Sequence, residues 1–415
     1  MKKILIFFLI IFLQNSPARA EKGDTANLIK LLGDSDHRTI ELASQKLKKI
    51  GASAVPDLVR VLKDDTVDSR LRINSIITLG KIGPDAKAAV PALTETIDDE
   101  NFLVRKASAY VLGSIDPTNE RVISALIHAL HDTHEGVSTD ALISLQECGS
   151  GAFPALAELL KNADMDIKIK ASIILHNHLQ YRDQVVPILI RALSLDNDML
   201  RSFSAISLAE IGPSVIPELS KALTNDNKIA PVGIAFTLSQ MNPEDRSLAA
   251  AIPVLIRLLD VEKKEVIIQS SEILSQIGPE AKPAATALIG NLGNDDNEIR
   301  AAAMVALSEI GSSSIPGLIR AIDDGNFNKR YSSILLLTEF ERLPDSAIQP
   351  LMKALNDTDS RIRISAIRSL GKVSSPNDEV MNALTDATGD KNDEVSATAE
   401  EAIRKIKARK ALPVQ

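Results

Sequence analysis

The sequence predicts an all-α solenoid, a superhelix of about twelve stacked helix pairs. A short motif (a Pro, a Leu two residues on and an aliphatic four beyond it) returns down the chain, as at Pro56-Asp57-Leu58 with Leu62, Pro187-Ile188-Leu189 with Leu193 and Pro316-Gly317-Leu318 with Ile322. The Pro column falls at Ala26, Pro56, Pro91, Ser124, Pro154, Pro187, Pro217, Pro253, Thr286, Pro316, Gln349 and Asn382, with spacings of 30 to 36 residues. A fixed period of that length is the mark of a repeat array. Composition agrees: aromatics are 3% and Trp is absent. Narrow helical seams suit small and aliphatic side chains, whereas a large globular core usually recruits bulkier rings.

Residues 1–20 stand apart from the array. Lys2 and Lys3 precede the apolar run Ile4 to Leu13, and Ala18-Arg19-Ala20 forms a small-x-small cleavage pattern. This is the pattern of a secretory signal peptide, its apolar core too short for a stable membrane span, with an uncleaved anchor as the alternative reading. Cleavage after Ala20 leaves residues 21–415 as one solenoid in the periplasm or outside the cell, and no Cys nearby offers a lipid attachment point. No later segment reads as long and apolar enough to insert in a membrane. Removing Lys2, Lys3 and Arg19 takes the formal charge from −8 to −11, which disfavours phosphate backbones and hence nucleic acid as partner.

Within each repeat the first helix carries apolar residues at i, i+3, i+4 and i+7, and its Pro sits in the opening turn, where a missing N–H costs nothing. Acidic turns follow, such as Asp64-Asp65, Asp98-Asp99, Asp323-Asp324 and Asp357-Thr358-Asp359, whose side chains can cap the next helix. The second helix runs Val104 to Ile115 in repeat three and recurs as Ile299 to Ile310 and Ile362 to Val373. Gly51, Gly83, Gly212, Gly278 and Gly311 close it as left-handed caps.

Ten of the twelve repeats have an acidic residue or Asn eight positions after the Pro column, and a basic column follows six residues later. Asp99 leads to Arg105, Asp324 to Arg330, Asp357 to Arg363, Asn162 to Lys168 and Asn294 to Arg300, while Asp64 leads to Arg72 with two extra residues. These units resemble HEAT repeats, most closely the short PBS-lyase HEAT-like variety with its A-x-P-x-L, D-x-x-x-x-V-R and A-L-G-x-I-G signatures. The resemblance implies that the turn Asp and the following Arg form a ladder between neighbouring repeats, here Asp99/Arg105, Asp324/Arg330 and Asp357/Arg363. Ser138, Pro231, Ile267 and Ser396 occupy the Arg column in repeats four, seven, eight and twelve, where the ladder should be broken.

Counted from the Arg column, positions +3, +7 and +10 of the second helix are small or aliphatic and face the partner helix. Position +9 is polar throughout repeats two to ten, from Lys81 and Ser114 to Glu309 and Glu339. In HEAT arrays the second helix lines the concave side, so +2, +5 and +9 should look into the groove. Position +5 is unexpectedly apolar: Ile77, Tyr110, Ile143, Ile173, Ile206 and Phe236 in repeats two to seven. Such a track could hold an extended peptide or an amphipathic helix. Alternatively, +5 side chains pack between adjacent second helices.

No cofactor or metal is expected. His128, His131 and His134 are spaced by three beside Glu135, but His128 shares a column with Arg60, Arg191, Arg257 and Arg320 and so belongs to a solvated face. His176 and His178 read as packing residues. Cys148, the only cysteine, falls in the apolar +10 column as an inert thiol. Deoxyhypusine hydroxylases, HEAT enzymes, assemble a di-iron site from several His-Glu pairs, whereas this chain has only His134-Glu135. Phycobilin lyases share the repeat, but no reactive cysteine is present. No nucleophile motif, P-loop or dinucleotide fingerprint occurs. The expected role is therefore a non-catalytic scaffold or adaptor binding proteins or peptides, with a metal-dependent or lyase-like enzyme as the competing reading.

Overall fold

The computed structural model describes residues 22–223, 230–243 and 245–411. Residues 1–20, whose sequence pattern is that expected of a signal peptide, lie outside them. Two compact parts are resolved, one running up to Val185 and the other from Val186 onward, so that the division falls inside a helix. Each is an array of helical hairpins. The first holds α1 (Lys22–Leu31) with α2 (His37–Ile50), α3 (Val55–Leu62) with α4 (Ser69–Ile82), α5 (Val90–Glu95) with α6 (Phe102–Ile115), α7 (Glu120–Ala129) with α8 (Glu135–Cys148), and α9 (Phe153–Asn162) with α10 (Met165–Leu175). Helix α11 (Arg182–Ala192) spans the division and is followed by α12 (Asp198–Ile211). The second part continues with α13 (Ile216–Ala222) and α14 (Ala230–Ser239), α15 (Ile252–Leu258) and α16 (Lys264–Ile277), α17 (Ala285–Asn291) and α18 (Asn297–Ile310), α19 (Ile315–Ala321) and α20 (Phe327–Leu337), α21 (Ile348–Ala354) and α22 (Ser360–Leu370), and α23 (Asp378–Ala387) and α24 (Asp393–Ala411). Even-numbered helices are therefore the second helices of repeats one to twelve. No strand is formed among the described residues, and one isolated bridge joins Leu343 to Val373.

Local chemistry sets the helix boundaries. An Asp, Asn or His side chain accepts from a first-turn N–H at the start of α2, α4, α6, α8, α10, α12, α18, α20 and α22, each cap contributing about 1 kcal/mol. Pro56, Pro91, Pro154, Pro217, Pro253 and Pro316 occupy the opening turn of their helices, where no N–H is needed. Pro187 departs from this: α11 begins five residues earlier and carries it inside. The five expected glycines, together with Gly149, all have positive φ, from +56° to +89°. Their ψ values lie near −135° to −170°, beyond the left-handed helical well, so they turn the chain sharply into a one-turn 3₁₀ segment or a short link.

The core is the seam between helices. Leu79, Leu112, Leu145, Leu208, Leu274 and Leu307 at +7 are fully buried, and even-numbered helices pack against the next even-numbered helix within each part. Some of the +2 positions expected in the groove are instead taken up by this seam, while Asn74, Asp140, Phe203, Gln269 and Ala302 are half-buried. Ala107, Lys170, Gly233, Ser332 and Ser365 are buried, because +2 lies on the edge of the helix that meets its neighbour. A 25-residue run, Asn297–Ala321, is long and apolar enough to cross a membrane by length and composition, contrary to the sequence reading. It is α18 and α19 broken at Gly311, and nearly half of it is buried inside the fold.

Candidate functional site

Second helices are held in place by a cationic ladder, but its rungs join different partners from those expected. Arg105 does not meet the Asp99 carboxylate. Its Nη1 donates to the Asp99 main-chain carbonyl at 2.9 Å, while Nε and Nη2 grip both oxygens of Asp132 in the next repeat at 2.6 and 3.0 Å. Asp99 is held by Arg72 of the preceding repeat at 2.6 Å. Arg363 likewise donates to the Asp357 carbonyl and grips Asp390 at 2.8 Å through both bonds. Arg330 donates to the Asp324 carbonyl and reaches Asp357, while the Asp324 carboxylate turns to Lys329 at 2.8 Å. Each arginine thus ties its own turn through a carbonyl and the following repeat through a carboxylate. The guanidinium groups of Arg105 and Arg363 hold Asp132 and Asp390 below the usual carboxylate range.

The break expected at repeat eight is bridged. Ile267 fills the Arg column, but Lys264, one helical turn earlier, lies 2.8 Å from both Asp296 and Glu298 of repeat nine. These two carboxylates push the Lys264 ammonium up to about 12, and Lys264 in turn lowers Asp296. In repeat five the nearly buried Lys170 crosses back to the Leu130 carbonyl at 2.9 Å, where α7 ends. The basic column of the first helices forms a further set of links that the sequence reading took as merely solvated. His128 contacts Asp98 at 2.9 Å, Arg257 donates to the Ser220 and Leu223 carbonyls, and Lys353 contacts Asp323 at 2.9 Å. The recurrence of Arg or Lys in that column was the available signal.

With the seam and ladder accounted for, the solvated face of the second helices is defined. Position +9 is exposed at Ser114, Glu147, Asn177, Glu210, Gln240, Gln276, Glu309 and Glu339, and half-buried at Lys81, which reaches Glu41. At +5, Tyr110 is 58% exposed, Ile143 40% and Ile206 37%; Ile77 and Phe236 are half-buried. Ile173 is only 2% exposed and drops out of the track, because Lys170 to Leu175 are buried without interruption and this turn of α10 has no open side. Tyr110 and Ile143 sit on directly packed helices: the Ser144 hydroxyl donates to the Ala109 carbonyl at 2.6 Å and also reaches that of Tyr110. Leu103, two turns before Tyr110 on α6, adds a third exposed apolar side chain.

The histidines have separate occupations. Besides the His128–Asp98 contact, the His131 ring lies 3.1 Å from the Ile127 carbonyl, and His134 Nδ1 caps α8 by accepting from Gly136 N–H while its ring stacks on Phe102. His178 packs on Phe153. Among the described residues no group of three or more His, Cys, Asp or Glu side chains is placed to hold a metal ion. Cys148 is buried, and burial pushes its thiol up to about 11, so it is a poor nucleophile at neutral pH.

A family model of HEAT repeats matches residues 67–146 and 315–404. The chain is a HEAT-repeat protein. A model of the PBS lyase HEAT-like repeat also matches residues 299–324, which cover most of α18 and α19. No curated protein matches the sequence. Among solved structures the solenoid is similar to Kap121p bound to Ste12p, at 14% identity and TM-score 0.55, covering 93% of this chain and 49% of that one. Kap121p bound to Pho4p matches at 14% identity and TM-score 0.48 over 93% and 46%, and importin beta at 13% and 0.40 over 94% and 56%. This chain thus spans about half the length of the Kap121p chains. At 14% identity the likeness to the Ste12p-bound Kap121p establishes the helical solenoid fold alone.

Proposed function

We propose that this HEAT-repeat protein is a non-catalytic, exported scaffold that binds protein or peptide partners on the solvated face of its second helices. The observation that carries the reading is the exposure of Tyr110 and Ile143 at equivalent positions of neighbouring helices whose seam residues are buried. Large apolar side chains left open side by side mark a contact surface rather than a core. Ile77 flanks the pair in the first part; Ile206 and Phe236 are the corresponding positions in the second. The Kap121p structure with TM-score 0.55 is of that protein bound to Ste12p, which supports protein partners as the class to test.

Export rests on the residue pattern at 1–20, and N-terminal sequencing of the mature protein should return Glu21. For the binding face, the test is recovery of partners from the native cell envelope by wild type and by Tyr110→Asp plus Ile143→Asp. Both sites are open, so the variant should melt within a few degrees of wild type while losing its partners. Equal recovery by a folded variant would remove the proposal.

A further inference from the structure

The solvated face changes chemical character at its C-terminal end. From repeat three to repeat ten, position +9 carries no positive charge, yet repeats eleven and twelve place Lys372 and Lys405 there. Position +5 changes from Val305 and Leu335 in repeats nine and ten to Arg368 and Glu401 in repeats eleven and twelve. These four residues, with Thr338 and Thr398, line a cleft of about 250 Å³ between α20, α22 and α24.

The donors lining this cleft differ in how far they are already used. The Thr338 and Thr398 hydroxyls donate to the Leu335 and Glu394 carbonyls at 2.6 and 2.7 Å, so their protons are committed to the helices. Lys372 Nζ donates one proton to the Thr338 carbonyl at the end of α20, and Lys405 contacts Glu401 at 2.6 Å. Arg368 is 54% exposed in its side chain, and Glu394, its nearest carboxylate, stands 3.9 Å off, beyond hydrogen-bond range. The ladder arginines Arg105 and Arg363 have filled their forks with carboxylates, and Arg361 has filled its own with Asp359. Arg368 has not.

We infer that this cleft binds a carboxylate, with the Arg368 fork taking its two oxygens and Lys372 and Lys405 supplying the remaining charge. A planar monoanion matches the guanidinium geometry. Glu401 on the cleft wall opposes a phosphate dianion. The inference does not rest on the apolar track, which lies in other repeats.

The test is the fluorescence anisotropy of a labelled hexaglutamate peptide titrated with the full chain at low salt, with free glutarate and inorganic phosphate as competitors. Wild type should bind. Arg368→Ala plus Lys405→Ala should weaken binding at least roughly tenfold, with an unchanged melting curve because both side chains are exposed. Lys353→Ala, an exposed lysine elsewhere in the second part, should bind as wild type. Glutarate should compete better than phosphate at equal ionic strength, which identifies the carboxylate itself as the recognised group whether free or on a peptide. Absence of binding at about 1 mM chain, equal affinity in the double variant, or stronger competition by phosphate would each overturn the inference.

Discussion

Arg105 carries two jobs in one planar group, and its cost of removal follows from both. Its side chain and that of Asp132 are largely covered, at 17% and 9% exposure. Arg105→Ala leaves Asp132 without its counter-ion and the Asp99 and Glu100 carbonyls without their donor. We expect a loss of about 2 kcal/mol in urea unfolding. Arg105→Lys should restore only part of this, because an ammonium cannot reproduce the fork. The acid response has a definite sign. Asp132 and Asp390 are held below their ordinary values in the folded chain, so their contribution is complete above the unfolded carboxylate value, about 3.9. It is lost as pH falls from there through the depressed folded values. Melting temperature should therefore drop steeply below about pH 4, and Arg105→Ala should blunt that drop. Residue types at the ladder were legible in the sequence because Asp and Arg recur at a fixed offset. Their partners were not. The offset of six is an intra-repeat distance, whereas the ion pair spans 27 residues and exists only once one hairpin is stacked on the next.

At the level of the element, close approach of second helices depends on two glycines. A Cβ at Gly113 would lie 2.5 Å from the Ser144 carbonyl oxygen, and one at Gly80 would lie 2.5 Å from Val111 Cγ1. Backbone cannot give way as a side chain can, so Gly113→Ala should destabilise the chain by about 1–3 kcal/mol. Gly290, in α17, has open space around it, and Gly290→Ala should raise stability by about 0.5 kcal/mol. Chemical denaturation of the two variants under one condition checks both signs. Lys264→Ala should loosen the junction of repeats eight and nine, read as faster amide exchange in α16 and α18. Helix identity and order were readable from the Pro column, the Asp-rich turns and the closing glycines. Less readable was which stripe each helix buries. Position +2 looks open by helical counting, yet helix-to-helix contact covers it at Ala107, Lys170, Gly233, Ser332 and Ser365 and leaves Asn74, Asp140, Phe203, Gln269 and Ala302 half-buried. Ile173 looked equivalent to Tyr110, yet α10 ends after eleven residues and is buried on every side near its end. Neighbouring helices, which a single-helix count does not contain, decide both.

For the whole molecule, stability is a sum of nearest-neighbour terms, since no hairpin buries its own apolar stripe. The same arrangement spares the far face of the second helices from structural duty, leaving Tyr110 and Ile143 open for a partner and Arg368 with an unfilled fork. Amide hydrogen exchange of the intact chain tests this most directly when wild type is compared with Gly113→Ala. Protection should fall in α4, α6 and α8, around the altered seam, while α18 to α24 exchange as before. A uniform loss of protection across all twelve repeats would contradict it.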